Sequence, residues 1–524
     1  MKRSNLFNII VFVAIIIFVN LVSRSLFTRI DFSRGKIYSL SKSSKEAVKN
    51  LEDRLVVKAY FSKNLPGEIA DARRFTQDLL SEYQAYSHGK LRFEFIGPAD
   101  EDKLKEEAQK NQISPFTMRV PENDQLVIRE VYLGLSFLYR DKVETIPLVQ
   151  NTRGLEYDIT SSIKKISAIG LKKIALYEVE DITPPSPMMP NAGDKYKTVR
   201  QLISDSYELT TTDLFSEVES SVSTLIVTGV EDSLSEEQLY NLDQFVMKGG
   251  NLLLFQDKIR ADVQNQKAEK INSNLFDLMR SYGIKIKNNI VTDAKCGAVQ
   301  VQRQQGFFRI NTPINYPFFP IIHNVNKDNI IVKNLDQMQL IFASEIDTVR
   351  MSPDLNFEPL LFTSSNSGEI KEPRLDISVM KFMNQKLEDM YNDPPKIVSG
   401  IYSGLFKSYF ADNPSYPDVF PDNSEAKILL VTDSEFIDDN GGAGVKGNLD
   451  FVLNSVDYMA SDATLIEIRS RETEYKPLKE ISSGAKKMTR WLNILLPSIL
   501  LILLGVSIYR KEIARRKVIG ELYE

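Results

Sequence analysis

A chain of 524 residues that is 43% hydrophobic and 26% charged has the make-up of a folded protein of two or three domains, which excludes a disordered one. Its net charge of −5, without a basic cluster interleaved with aromatics, argues against nucleic acid as a partner. The single cysteine, Cys296, rules out a disulfide framework within the chain, and no Gly-x-x-x-x-Gly-Lys-Ser/Thr segment is present for nucleotide hydrolysis.

In chain order, the first feature is an uncharged apolar stretch over residues 6–22, matched near the other end by residues 491–509. Each is close to the ~20 residues that a helix needs to cross a bilayer. Residues Asn20, Leu21, Val22 and Ser23 offer no small-x-small cleavage site, so the first stretch reads as a retained anchor (1–23) and not as a signal peptide. The second (491–509) carries Trp491 and Tyr509 at its edges and is followed by a basic tail (510–524). The expectation is two transmembrane helices, cytoplasmic termini, an inner-membrane location and the large domain in the periplasm.

Residues 24–170 alternate strand and helix patterns. Ser43 and Glu46 have capping-box spacing at the start of a short helix. Leu55–Phe61 reads as a buried strand, 69–86 as an amphipathic helix and Leu91–Ile96 as an alternating strand. A polar helix over 102–111, a hairpin of strands 131–139 and 142–148, and a helix over 157–169 follow. The order β-α-β-α-β-β-α predicts a thioredoxin-like layer, without the Cys-x-x-Cys pair of a redox domain.

From residue 171 the pattern changes to short continuous apolar runs separated by helices, which predicts a parallel sheet covered on both faces. The runs are 174–179, 224–229 and Asn251–Phe255, with 289–293 and 427–432 as further strands. A helix over 235–248 has Ser235 and Gln238 as a capping box and Gly249-Gly250 at its end. Residues 171–297 and 397–470 form this α/β domain, 298–396 a β-rich insertion, and 471–490 a linker.

Three groups of residues are candidates for chemistry. Gly442-x-Gly444-x-x-Gly447, with Glu467 beyond it, matches a dinucleotide fingerprint on paper, yet nine residues part it from the strand. A flexible glycine loop with Asn448 as helix cap is the better reading. Cys296 could act as a nucleophile only with His88 or His323 beside it, and it is not framed as a strand-to-helix elbow. Acids follow nearly every strand of the second domain: Glu178 and Asp181, Glu231 and Asp232, Asp257, Asp293, and Asp433 with Glu435. In a parallel sheet these share the carboxyl edge, where open α/β folds bind ligands. Turns and helix N-termini favour acids in any case; a basic-peptide or cation site is the functional alternative. No cofactor and no metal site is expected.

The blocks YSLSKSSKEAVKNLEDRLVVKAYFSKNLP, DLLSEYQAYSHGKLRFEFIGP, ITSSIKKI, SEEQLYNLDQFVMKGGNLLLFQD and KILLVTDSEFIDD, followed by GNLDFVLNSVDYMASD, resemble the auxiliary-component family of ABC transport systems. Within it they look like the gliding-associated, substrate-binding type of Bacteroidetes. The central block is also similar to glutamine-amidotransferase-like domains that have lost their catalytic residues. The resemblance implies an ABC permease and, through it, a cytoplasmic ATPase as partners, and supplies no catalytic residue. The expected function is a non-catalytic, extracytoplasmic, membrane-anchored subunit. The alternatives are an anchored hydrolase or amidotransferase-like enzyme using Cys296, and a cytoplasmic-facing scaffold.

Overall fold

The computed structural model describes residues 39–62, 67–97, 102–122, 125–149, 154–167, 172–178, 194–263, 265–305, 308–333, 337–349, 353–423, 425–460 and 483–521, with single positions between them. The chain divides into two units, one ending at Glu474 and one beginning at Tyr475.

The first layer begins with α1 (Lys42–Lys49). Its cap is Ser41, whose Oγ accepts from Ser44 N at 3.1 Å. Ser43, expected to open a capping box, instead keeps a buried hydroxyl without a partner. Strand β1 (Leu55–Phe61) is followed by α2 (Gly67–Tyr86), β2 (Leu91–Ile96) and α3 (Asp102–Lys110). A hairpin that the sequence did not suggest comes next, β3 (Phe116–Glu122) with β4 (Gln125–Val131). Then follow β5 (Leu133–Tyr139), β6 (Lys142–Ile146) and α4 (Leu155–Ser167). The four-stranded sheet runs β2-β1-β5-β6, with β2 parallel to β1, and β5 antiparallel to both β1 and β6. Val57, Leu80, Leu135, Phe137, Ile159 and Ile163 are fully buried in it. Each such side chain contributes about 1.5–3 kcal/mol.

The second, larger sheet is built from β7 (Lys173–Tyr177), α5 (Lys197–Ser204), β8 (Glu208–Thr212), β9 (Val222–Thr228), α6 (Glu236–Met247) and β10 (Asn251–Phe255). The expected capping box of Ser235 and Gln238 is present, and Gly249 ends α6 at φ +93°. Beyond β10 lie the hairpin β11 (Ile259–Asp262) and β12 (Lys267–Lys270), α7 (Leu275–Ser281), β13 (Asn289–Asp293), and the long ribbon β14 (Cys296–Gln305) and β15 (Phe308–Ile322). The chain continues through β16 (Asn324–Val325), β17 (Met338–Gln339), β18 (Leu355–Phe362), β19 (Ser367–Lys371), β20 (Ile397–Gly404), β21 (Phe406–Lys407), β22 (Asp422–Asn423), β23 (Lys427–Val431) and α8 (Lys446–Met459).

Eight strands form the main sheet in the order β16-β18-β20-β23-β10-β9-β7-β8. The five from β23 to β8 are parallel, and β20, β18 and β16 extend them with antiparallel pairings. Alternate residues of β10 serve opposite cores: Leu252 and Leu254 pack with Leu242 and Leu278, while Leu253 and Phe255 pack with Ile203, Phe451 and Val456. Burial on both faces is why these strands read as unbroken apolar runs. Within residues 298–396, expected as a β-rich insertion, β16 and β18 belong to the main sheet. Conversely Asn289–Asp293 stays out of it and pairs with β19.

The second unit contains the helix Ser483–Glu521, 39 residues long. Asn493, Pro497 and Ser498 interrupt its apolar run, which is closed at one end by Lys486, Lys487 and Arg490 and at the other by Arg510, Lys511, Arg515 and Arg516. Among the described residues, no helix is long and apolar enough to cross a membrane. The expectation of a chain bracketed by two transmembrane helices, and with it the two-span inner-membrane location and periplasmic domain, is corrected accordingly. The stretch over residues 6–22 lies outside the described residues. What the structure shows is a mixed α/β protein with several sheets.

Candidate functional site

Five parallel strands put their carboxyl ends on one edge, and the chain reverses there. The first strand, β7, is flanked by β8 on one side and β9 on the other, so the switch in direction falls between β7 and β9. In such sheets the loops on either side of the switch diverge and leave a crevice. It is bordered by Glu178 after β7, by Thr228 and Gly229 at the end of β9, and by Tyr196 ahead of α5.

Gly229 has φ +60°, and a Cβ there would stand 3.0 Å from the Tyr196 hydroxyl and 3.3 Å from Ser434 Oγ. Only glycine fits this meeting point without strain. The Thr228 hydroxyl lies 3.4 Å from that of Tyr196. Across β10, Ser434 donates to Asp257 from its backbone N at 3.0 Å and from its hydroxyl. One residue earlier, Asp433 is fully buried and accepts from the backbone of Ile341 at 2.6 Å, Glu435 at 2.8 Å and Phe436 at 3.2 Å.

Asp257, Asp433 and Glu435 are thus gathered from the ends of two neighbouring strands. Burial is the main influence on each, and it penalises the ionised form. It pushes Asp257 up to about 6, against the opposing bonds from Ser434. It pushes Glu435 up to about 8, with Asp257 and Asp438 adding to the effect and Lys195 opposing it. Asp433 is held well above the usual carboxylate range by burial and then by Asp257. At neutral pH the cluster therefore carries less negative charge than its three carboxyl groups suggest.

The expected site residues divide into groups. Asp257 and Asp433 stand in the cluster. Glu178 lies at the crevice but is taken up by Arg200, which also binds Asp194. Glu231 pairs with Arg260 at 2.8 Å on the exposed rim, where Asp232 is also exposed. Asp293 is on the other small sheet, spent on Ser364 Oγ at 2.7 Å and Lys295 N at 2.8 Å. Asp181 lies outside the described residues. Tyr196 and Gly229 were not singled out from the sequence, and nothing in their local pattern marks them. Among the described residues no group of three or more His, Cys, Asp or Glu could hold a metal ion.

The glycine loop behaves differently from the cap that was expected. Gly442–Gly444 is a short 3-10 turn, α8 starts at Lys446, and Val445 occupies the cap position. Asn448 is instead a buried connector: its Nδ2 donates to the carbonyls of Gln339, Phe436 and Gly442, and its Oδ1 accepts from Gln339 N at 2.9 Å. Cys296 is half-buried at the start of β14, where burial and Asp293 push its thiol up to about 12. A thiol so far from ionisation is a poor nucleophile. His88 sits in the turn before β2 and His323 after β15, both exposed.

The site is thus the carboxyl edge of a doubly wound sheet, lined by buried and half-buried acids. The chain belongs to the family described as an ABC-type uncharacterized transport system, whose profile matches residues 171–455. A second profile, for a domain of unknown function, matches residues 34–137. The chain is 26% identical over 502 residues to an uncharacterized protein of Borreliella burgdorferi, covering 92% of this chain and 93% of that one. Among solved structures it is similar to the mmIFT52 N-terminal domain, with 11% identity, a TM-score of 0.33, and coverage of 55% of this chain and 97% of that one. A putative ThuA-like protein from Bacteroides uniformis gives 10% identity and a TM-score of 0.29, covering 56% of this chain and 93% of that one.

Proposed function

We propose that this protein is a non-catalytic auxiliary subunit of an ABC transport system, and that the carboxyl edge of its main sheet receives a basic segment of a transporter partner. The observation that carries the reading is the cluster of Asp257, Asp433 and Glu435 beside the crevice, with Glu231 and Asp232 on its rim. Family membership supplies the transport setting. The finer reading names an ABC permease as the partner and a cytoplasmic ATPase behind it, with a likeness to the gliding-associated subunit GldG; it rests on the sequence resemblance.

Enzymatic use of Cys296 is disfavoured by the high thiol pKa, since acyl transfer needs a populated thiolate and a base within about 3 Å. The test is co-purification of the tagged chain with an ABC permease and its ATPase from the native host. Charge reversal by Glu231→Lys with Asp232→Lys should cut recovery of the partners about tenfold. Cys296→Ala should leave recovery and transport-dependent function at the wild-type level. Unchanged recovery in the charge-reversed protein would remove the edge from the interface, and complete loss of function in a well-folded Cys296→Ala protein would restore the enzyme.

A further inference from the structure

The outward side of α6 is flanked by two other segments of the chain. On one side the loop between β21 and β22 is pinned to the helix. The Asp243 carboxylate accepts from Ser408 Oγ at 2.6 Å and Tyr409 N at 3.0 Å, and Gln244 Oε1 accepts from Phe420 N at 2.9 Å. On the other side Gln238 Nε2 donates to Asp213 O and Asn241 Nδ2 to Leu214 O, both at 2.8 Å. Glu237, Asn241 and Lys248, four and seven residues apart, form one row between those flanks, and Glu237 and Lys248 are exposed. Lys248 ties the flanks together at one end: its ammonium pairs with Glu217 of the first and stands 5.7 Å from the centre of the Phe420 ring of the second.

Both flanks present aromatic rings to solvent. Phe215 is 54% exposed and Phe420 51% exposed. Beside Phe420, Tyr240 of α6 and Tyr416 of the loop stack with ring centres 4.4 Å apart, and both meet the buried Phe410 edge to face. Tyr409 is exposed next to them. Among the described residues the hydroxyls of Tyr240, Tyr409 and Tyr416 make no hydrogen bond to the protein. Burial, and then Glu236 and Glu237, raise the Tyr416 hydroxyl above its ordinary value, so it keeps its proton as a donor. The charge of this face is one-sided. Asp213, Glu236, Glu237, Asp412 and Asp418 are exposed carboxylates, whereas Lys248 is taken up by Glu217.

Large apolar rings left in water on both sides of a helix mark a contact surface. Their kind and the charge around them select the occupant. A polyproline II segment makes no hydrogen bonds within itself, and its prolines offer carbonyls without N–H groups. Such a segment is held by aromatic faces with donors among them. Here the rings supply the faces, the tyrosine hydroxyls the donors, and the carboxylates a place for cations. We propose that the outer face of α6, between Phe215 and Phe420, is a docking site for a proline-rich segment flanked by arginine or lysine. An added strand would require a free sheet edge, and an apolar helix would gain nothing from the acids. The site lies away from the carboxyl edge and does not depend on that edge's reading.

The full-length protein titrated into a fluorescently labelled oligoproline peptide with arginines at both ends should raise its anisotropy to saturation. Alanines in place of the prolines, which leave the charge alone, should weaken binding about tenfold, as should glutamates in place of the arginines. Phe215→Ser and Glu237→Lys, both at exposed positions, should each weaken it about fivefold while far-UV circular dichroism stays unchanged. Tyr416→Phe, which keeps the ring stack and removes only the hydroxyl, should weaken it about threefold. Equal affinity for the proline and alanine peptides would reduce the face to a non-specific acidic surface and overturn the proposal. So would full affinity in Phe215→Ser and Glu237→Lys, or a dimer of the chain that Phe215→Ser abolishes, which would make a second copy the occupant.

Discussion

Glu435→Gln tests the acid cluster through stability. Glu435 rises from 4.5 to about 8 in the folded protein. The native state therefore holds a proton, between those two values, that the unfolded chain has released. A raised pKa contributes stability in full below the unfolded value and loses it as pH climbs through the folded one. Each pKa unit is worth 1.36 kcal/mol, so the shift sets a ceiling of about 5 kcal/mol. Glu435 is partly exposed and shares its field with Asp257, so screening brings the expected effect to about 2 kcal/mol. Glutamine cannot ionise and escapes the loss. In urea titrations followed by far-UV circular dichroism, the variant should match the wild type near pH ~5 and exceed it by about that amount near pH ~8.5. Circular dichroism is the better probe because the single tryptophan, Trp491, lies outside the unit that contains the sheet. A variant whose advantage is equal at both pH values would refute the raised pKa.

Asp243→Asn should destabilise by about 2–4 kcal/mol in the same titrations. The buried carboxylate accepts from the Tyr282 hydroxyl at 2.8 Å, Ser408 Oγ at 2.6 Å and Tyr409 N at 3.0 Å, and an amide would turn a donor toward donors. Asn448→Ala should cost a similar amount, about 2–4 kcal/mol, by stranding the backbone of Gln339, Phe436 and Gly442; no effect on the urea midpoint would show that water replaces those bonds. Partner capture by the immobilised chain should strengthen between pH ~6 and pH ~8, because a cationic segment is drawn to the cluster as Asp257 and Glu435 ionise. Capture that weakens over that window would contradict a basic occupant.

What was legible in the sequence was local. Asn251–Phe255 and Lys427–Val431 are strands where continuous apolar runs placed them, because both faces of each are covered, and Leu55–Phe61 is a strand with Val56 and Lys58 half-buried on its second face. The Ser235 capping box could be read because its two partners are three residues apart. The true cap at Ser41 and the β3–β4 hairpin were missed; Phe116, Met118 and Val120 do alternate with Thr117 and Arg119, but Pro121 at the end of that run argues against a strand. Strand order was not legible. Nothing in Asn289–Asp293 distinguishes a strand of the main sheet from one paired with β19, since that choice is made by contacts about 80 residues away in sequence. The acids of the candidate site could be found by their position after strands. Their grouping could not, because Asp257 meets Asp433 only if β10 and β23 are neighbours.

Chemistry at this edge would meet a specific obstacle. Ser434 donates its hydroxyl to Asp257, which resembles half of a nucleophile and base. Acyl transfer also needs donors for the oxyanion that develops. The backbone N–H groups at the strand ends are already used: Gly229 N donates to Phe255 O, Val230 N to Gln256 Oε1, and Ser434 N to Asp257 itself. The Gln256 amide is consumed by Val230 and Asp257, and the Thr432 hydroxyl by the Ser344 carbonyl. Asp433 and Glu435 stand beside this spot and, being acids, supply no positive charge to a developing oxyanion. The same arrangement suits a cation, since an arriving lysine or arginine would find carboxyl groups ready to ionise in its field. On both counts the arrangement supports the proposed reading of this edge as the seat of a basic segment.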